Sequence, residues 1–197
     1  MDDIKSAREI AMEKVGKLGE ATEEERLKWK YVPQGQQLAA KYLKENLNLV
    51  PELSQYQESV KKYIIEGAAE VLIRNISLPK NDVVKKSNRK AMDGLKVLKS
   101  DKVSVENVYS QIRYLFNHYA EQGEQQRKQA YQSLKTEFEA KIQQAIQQQM
   151  GGSPIGMRID VERQPQFQQE WLKVQSQLDS QYLTLLSEYK RELSSIA

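Results

Sequence analysis

The side chains that most often carry catalysis or bind metals are scarce in this sequence. The 197 residues contain one histidine, His118, and no cysteine. Structural zinc sites take their ligands mainly from cysteine and histidine, so this composition argues against zinc, and it excludes thiol catalysis. His118 lies between Phe116 and Tyr119 in a helical pattern and is interpreted as a partly buried helix residue. No G-x-S-x-G turn accompanies it, so a serine nucleophile is not indicated.

Two other clusters resemble sites but have structural explanations. Glu23, Glu24 and Glu25 form the densest acidic group, at the predicted start of a helix, where negative charge interacts favourably with the helix dipole. Residues 151–156 are rich in glycine, but they lack the Lys-Ser/Thr ending of a phosphate-binding loop and follow a helix rather than a strand. We therefore expect no cofactor, no metal and no enzymatic activity.

Positive charge is concentrated in one segment. The whole chain carries 30 Lys and Arg against 27 Asp and Glu, and a net charge of +3 does not demand a nucleic-acid partner. Residues 80–102, however, contain eight basic and three acidic side chains. This segment predicts a helix with a basic face opposite an apolar face, and such a face can neutralise phosphates. The candidate basic patch comprises Lys85, Lys86, Arg89, Lys90 and Lys96.

The spacing of apolar residues predicts the helices that position these groups. In the first half of the chain, short helices are expected at residues 3–18, 22–29, 37–46, 51–76 and 82–99. Pro33 and Gly35 predict a turn at residues 30–36. A long helix is predicted from Val105 to about Met150, and Pro165 opens the last helix. Gly123, inside the polar run at residues 121–129, is the most expected place for a kink or break in the long helix, and the sequence leaves open whether the helix breaks there.

The two long helices carry apolar stripes suited to packing. Every fourth residue from Ala130 to Ile146 is apolar, and each such step overshoots a helical turn by about 40°, so this stripe rotates around its helix. The last helix carries a straighter seam from Phe167 to Ile196, with an eleven-residue repeat. The candidate partner interface comprises Phe138, Ile142, Ile146, Trp171, Leu178 and Tyr182.

These elements predict an all-α protein in two parts. Residues 1–102 are expected to form a small bundle of short helices. Residues 103–197 are expected to form a long antiparallel helical hairpin with coiled-coil-like packing. Residues 155–161 alternate apolar and polar, which predicts one short extended segment in the connection. We expect this segment to lie across the helices, although pairing with a second copy or with another protein is an alternative.

The sequence also bears on location. No apolar run approaches the roughly 20 residues that a membrane span requires. The first residues, MDDIKSAREI, are charged from the second position and lack the apolar stretch of a secretory signal. Together with the absence of cysteine, these features predict a cytoplasmic protein without a membrane partner.

Two strings of residues resemble a bacterial and archaeal family of unknown function. The first is IKSA followed by EIAMEK, at residues 4–7 and 9–14. The second is VERQP at residues 161–165, followed by Phe167, Glu170-Trp171, Leu178-Asp179 and Gln181-Tyr182. The resemblance implies a prokaryotic cytoplasmic protein, and it implies no particular activity or site.

The favoured interpretation is a non-catalytic helical interaction or assembly protein, with either a protein partner or a second copy of itself. The alternative is nucleic-acid or ribonucleoprotein binding through the basic helix at residues 80–102. An enzyme that uses carboxylates and tyrosines on a helical scaffold is a third class, and it would require a deep pocket lined by ionisable groups.

Overall fold

A computed structural model of the chain describes residues 22–45, 47–150 and 160–197, with the side chains of Gln149 and Met150 left aside. Six α-helices, one 3₁₀ turn and no strand lie in these ranges, so the all-α prediction is confirmed for the described residues. The elements are α1 (Glu23–Lys44), α2 (Leu49–Ser54), α3 (Glu58–Asn75), α4 (Asp82–Leu98), α5 (Lys102–Met150), the 3₁₀ turn (Val161–Arg163) and α6 (Pro165–Ser195).

The described residues form two compact units. The first unit holds the described residues up to Ile76 together with residues 89–100. The second holds residues 77–88 and the described residues from Asp101 onward. Helix α4 therefore contributes its first part to the second unit and its last part to the first. The predicted domain boundary at residue 102 stays a prediction.

In the first unit, α1 is continuous, and the predicted turn at residues 30–36 is wrong. The helix begins at a capping box, in which the Glu25 N–H donates to Thr22 Oγ1 at 3.2 Å and the Thr22 N–H donates to the Glu25 carboxylate at 2.9 Å. Pro33 lies inside the helix, where it cannot donate a backbone hydrogen bond to the preceding turn. Packing against α3 outweighs this local cost, because most helical stability in proteins comes from tertiary packing.

Two glycines bring the backbones of α1 and α3 into contact. A β-carbon on Gly35 would lie 2.0 Å from the carbonyl oxygen of Ile64. A β-carbon on Gly67 would lie 2.1 Å from the carbonyl oxygen of Val32. Backbone atoms cannot move aside as a flexible side chain can, so both positions accept only glycine at this crossing. The core around it includes Ala39, Ile64, Ala68 and Leu72, which are fully buried.

The predicted helix at residues 51–76 is two helices. Asn48 rather than Pro51 sets the start of α2, because Asn48 Oδ1 accepts the Val50 N–H at 3.1 Å. The chain leaves the helix after Ser54, and α3 begins again at Glu58. Helix α4 starts where the sequence predicts, with Asn81 Oδ1 accepting the Val84 N–H at 2.9 Å.

In the second unit, α5 and α6 pack side by side in opposite directions. The Asp101 N–H donates to the Ala197 carbonyl at 3.3 Å near one end of the pair. Tyr131 and Trp171 meet towards the other end, with ring centroids 5.0 Å apart. Residues late in α6 thus pair with residues early in α5. At about 1.5 Å per residue, the 49 residues of α5 span about 73 Å.

Helix α5 continues through Gly123, so the helix does not break at this residue, a point that the sequence left open. Gly123 is buried, and a β-carbon there would lie 3.3 Å from the hydroxyl oxygen of Tyr182 on α6. The glycine therefore makes room for a neighbouring side chain instead of ending the helix. A polar run such as residues 121–129 remains helical here because α6 packs along it.

The seam of α6 follows the predicted spacing at Phe167, Tyr182 and Leu193, which are buried. It departs from the prediction at Leu185, which is exposed, whereas its neighbour Leu186 is buried. Residues 155–159 of the predicted extended segment lie outside the described residues. The last residue of that segment, Val161, is buried and begins the 3₁₀ turn.

Candidate functional site

An aromatic and apolar cluster joins α5, α6 and the 3₁₀ turn, and it contains three of the predicted interface residues. Its buried members are Leu134, Val161 and Phe167, and its half-buried members are Tyr131, Phe138, Ile142 and Trp171. We call these seven residues the Phe167 cluster. The ring of Phe167 lies edge-to-face with Tyr131 and with Phe138, at centroid distances of 5.5 and 5.4 Å. This geometry is the one that aromatic pairs prefer.

A groove of about 660 Å³ runs beside the Phe167 cluster, between α5 and α6. Its apolar lining comes from Ala130, Leu134, Phe138 and Val174. Its charged lining comes from Glu137, Lys141 and Glu170, and its neutral polar lining comes from Ser133, Gln166 and Gln169. An apolar centre with charges of both signs around it is the usual composition of a protein interface.

The remaining predicted interface residues differ in their surroundings. Ile146 is half-buried further along α5, and Leu178 is half-buried on α6. Tyr182 is buried, its ring lies edge-to-face with Tyr119 at 5.1 Å, and its hydroxyl lies 3.0 Å from His118 Nδ1. The Tyr182 side chain therefore packs inside the second unit.

A buried polar cluster around Asp179 was not foreseen from the sequence. The Asp179 side chain is only 7% exposed, and its Oδ2 lies 2.8 Å from Lys80 Nζ. Its other oxygen, Oδ1, is 3.7 Å from Arg127 Nη1, too far for a hydrogen bond, and has no hydrogen-bond partner. The only sequence signal is that an acidic residue interrupts the apolar seam of α6 next to Leu178.

Arg127 forms an ion pair with Asp179 and is also held by Tyr119. Its Nη2 donates to the Tyr119 carbonyl at 3.2 Å, and its guanidinium lies 4.2 Å from the centroid of the Tyr119 ring. Burial, together with the nearby negative charge of Asp179, raises the pKa of the Tyr119 phenol to about 12. The phenol therefore stays neutral at physiological pH, and it lies close to the charged side chains of Asp179 and Arg127.

These side chains line a cavity of about 410 Å³, which we call the Asp179 cavity. Its lining residues are Pro79, Lys80, Lys85, Tyr119, Ala120, Glu124, Arg127, Gln175 and Asp179. All of them belong to the second unit. Over the part of the chain that the structure describes, no three His, Cys, Asp or Glu side chains are grouped to hold a metal ion.

A family model matches residues 50–195, and it describes a family of unknown function, DUF6657. The chain belongs to DUF6657. The DUF6657 match contains every residue of the Phe167 cluster and of the Asp179 cavity, and it begins after α1. No curated protein and no solved structure matches this DUF6657 chain.

Membership of an uncharacterised family is thus confirmed, while the prokaryotic origin stays a prediction. Of the two strings of the resemblance, residues 161–182 lie within the DUF6657 match and residues 4–14 lie outside it. In the described ranges of this DUF6657 protein, no helix has both the length and the apolar composition needed to cross a bilayer.

The basic residues of α4 in this DUF6657 protein have different environments. Four of them are exposed, namely Lys85, Lys86, Arg89 and Lys96. Lys85 Nζ lies 3.1 Å from the Asp82 carboxylate. Lys90 donates to the Glu45 carbonyl at 2.7 Å, and its Nζ lies 5.4 Å from the centroid of the Tyr42 ring. Lys90 thus contributes to packing in the first unit.

Proposed function

We propose that this protein is a non-catalytic assembly protein whose α5–α6 hairpin associates with a second copy of the same chain. The observation that carries this proposal is that Phe138, a half-buried member of the Phe167 cluster, lines an open groove between α5 and α6 together with Ala130, Leu134 and Val174. Helices reach a stable arrangement when their apolar stripes are buried against another layer. Two hairpins that meet along this groove supply that layer to each other, as in a four-helix bundle.

The charges around the groove favour a second copy as the occupant. Glu137 and Lys141 lie on the α5 side, and Glu170 lies on the α6 side. A two-fold interface presents the same patch on both partners, so a patch must complement itself. A patch with charges of both signs can do so, because Lys141 of one copy can face Glu170 of the other.

Sedimentation equilibrium of the full chain at micromolar concentrations tests this proposal. We expect a dimer, and we expect Phe138→Glu to weaken self-association at least about tenfold, because Phe138 lines the groove and the substitution places a charge in an apolar contact. Val103→Glu is the matched control, since Val103 is an exposed apolar residue elsewhere on the same helix. A wild-type protein that stays monomeric at these concentrations would contradict the proposal.

A second variant covers the case in which Phe138→Glu loses helical structure. Lys141 is exposed, and its Nζ lies 5.6 Å from the centroid of the Phe138 ring, so Lys141→Glu removes one surface contact and places a third acidic group beside Glu137 and Glu170. We expect this variant to be folded by circular dichroism and to dimerise more weakly than wild type. Equal dimerisation of wild type and Lys141→Glu would count against the groove as the contact surface.

The absence of enzymatic activity and a cytoplasmic location are part of the same proposal. A single histidine and no cysteine in 197 residues support both, because they leave few nucleophiles or metal ligands and suit a reducing compartment.

Nucleic-acid binding through residues 80–102 is the second candidate, and the exposure of Lys86 and Arg89 on α4 favours it.

A further inference from the structure

Two opposite charges that line the groove form no ion pair with any described residue. The Glu137 carboxylate and the Lys141 ammonium are both exposed, and Lys141 lies over the ring of Phe138 instead of pairing with Glu137. We propose that two copies of the chain meet with their α5 helices antiparallel, so that Lys141 of each copy pairs with Glu137 of the other. This inference rests on the function proposed above and specifies how the two copies are arranged.

Helix α5 supplies most of the apolar lining of the groove. Ala130, Leu134 and Phe138 follow one another at intervals of four residues on α5, whereas Val174 is the apolar lining residue on α6. Residues four apart lie on the same face of a helix, so the three side chains of α5 form one stripe. When the α5 helix of a second copy lies along this stripe, the apolar residues of both copies are buried against each other.

The order of charges along α5 selects the direction of the second helix. In a parallel pair with two-fold symmetry, each residue meets its own counterpart, so Glu137 would face Glu137 and Lys141 would face Lys141. In an antiparallel pair, the two-fold axis crosses the helices, and each of these charges can meet the opposite charge. The two residues are about 6 Å apart along the helix at about 1.5 Å per residue, so one axis midway between them forms both ion pairs.

Glu170 is the other acidic residue that lines the groove, and it already has a partner. Its carboxylate lies 3.0 Å from Lys173 Nζ on the same helix. Pairing of Lys141 with Glu137 of the second copy breaks no ion pair that the described residues make, whereas pairing with Glu170 competes with Lys173. Like charges that face each other across an interface are unfavourable, so the Glu137 pairing also fixes which residues of the two α5 helices meet.

Charge reversal followed by sedimentation equilibrium of the full chain tests this arrangement. Lys141→Glu and Glu137→Lys each place like charges opposite each other, and each should weaken self-association about tenfold. An equimolar mixture of the two variants should sediment as a dimer at a concentration where each alone is largely monomeric, because both ion pairs form in the mixed dimer. The double variant Glu137→Lys with Lys141→Glu should dimerise as wild type does, because it exchanges the two charges without removing either pair.

A matched control uses the other Glu and Lys spaced four residues apart on α5. Glu124 and Lys128 form an ion pair at 2.7 Å outside the groove lining, so Glu124→Lys and Lys128→Glu should leave dimerisation unchanged, alone and mixed. Circular dichroism should show all variants folded, since the four positions are exposed. If wild type dimerises but neither the mixture nor the double variant recovers association, the antiparallel arrangement is overturned while self-association stands. A monomeric wild type overturns both.

Discussion

At the scale of single residues, one buried asparagine links two segments of the second unit. Asn88 Oδ1 accepts the Ser77 N–H at 2.9 Å, and Asn88 Nδ2 donates to the Ser77 carbonyl at 2.6 Å. The side chain thus pairs with the backbone much as a neighbouring strand would. It ties residues just before α4 to the first part of that helix, both within residues 77–88.

We expect Asn88→Ala to lower the free energy of unfolding by about 1–3 kcal/mol, because two hydrogen bonds are lost and the groups of Ser77 are left unpaired. Urea unfolding followed by circular dichroism measures this change. Asn107→Ala, at an exposed position of α5, is the control and should change stability by less than about 0.5 kcal/mol. Equal effects of the two substitutions would mean that the Ser77 pairing contributes nothing.

Asp179 shows what the sequence could not reveal at this scale. The period of apolar residues identified the face of α6 that packs on α5, including Phe167, Tyr182 and Leu193. Burial of a charge depends on partners distant in sequence, here Lys80 and Arg127, which no local pattern brings together. The same limit explains why the Asp179 cavity was not predicted, whereas the spacing of apolar residues singled out Phe138, Ile142 and Trp171, which meet in the Phe167 cluster.

At the scale of elements, the crossing of α1 and α3 depends on the absence of two side chains. We expect Gly67→Ala to destabilise the protein by about 1–3 kcal/mol, since its β-carbon would lie 2.1 Å from the Val32 carbonyl oxygen and the helices would have to separate. The sign of the stability change distinguishes a steric clash from helix propensity, because replacing glycine with alanine at an unhindered helix position would stabilise the protein by up to about 1 kcal/mol.

Thermal unfolding of Gly67→Ala beside Ser59→Ala, an exposed position on α3, separates these two effects. Ser59→Ala should raise the melting temperature slightly or leave it unchanged. If Gly67→Ala is as stable as wild type, the α1 and α3 backbones must lie far enough apart to accommodate a β-carbon at residue 67, and the close crossing described above is contradicted.

The helices that could be predicted are those whose ends carry strong local signals. Apolar spacing predicted the start of α4 at residue 82, where the structure adds the Asn81 cap, and Pro165 at its first position predicted the start of α6. Local signals misled where tertiary packing decides. Pro33 and Gly35 together resemble a turn, yet Gly35 is a point of close approach to α3, and the helix continues through both. Gly123 likewise serves packing against Tyr182.

At the scale of the whole molecule, charge is nearly balanced, and this bears on the nucleic-acid alternative. The net charge is +3, and of the candidate basic patch Lys90 is engaged by Glu45. We therefore expect duplex DNA and RNA to bind no more tightly than about 1 μM at about 0.15 M salt, with an affinity that falls as salt rises. Fluorescence anisotropy with labelled oligonucleotides at several salt concentrations measures this.

The double variant Lys86→Glu with Arg89→Glu tests the patch directly. Both side chains are exposed, so the fold should be retained, and the oligomeric state should not change. Lys41→Glu with Lys44→Glu on α1 makes the same change in net charge at other exposed positions. Submicromolar binding that disappears in the first variant and persists in the second would establish the nucleic-acid alternative.

The division of α4 between the two units has a consequence for synthesis of the chain on the ribosome. Lys80 emerges 99 residues before Asp179, its ion-pair partner in the same unit. At a translation rate of about 5–20 residues per second, it waits roughly 5–20 s for that partner. Within that interval every described segment of the first unit, up to Ser100, has been synthesised. Residues 77–88, which include the buried Leu78 and Pro79, therefore complete their own unit only after the segments from Asp101 onward have been synthesised.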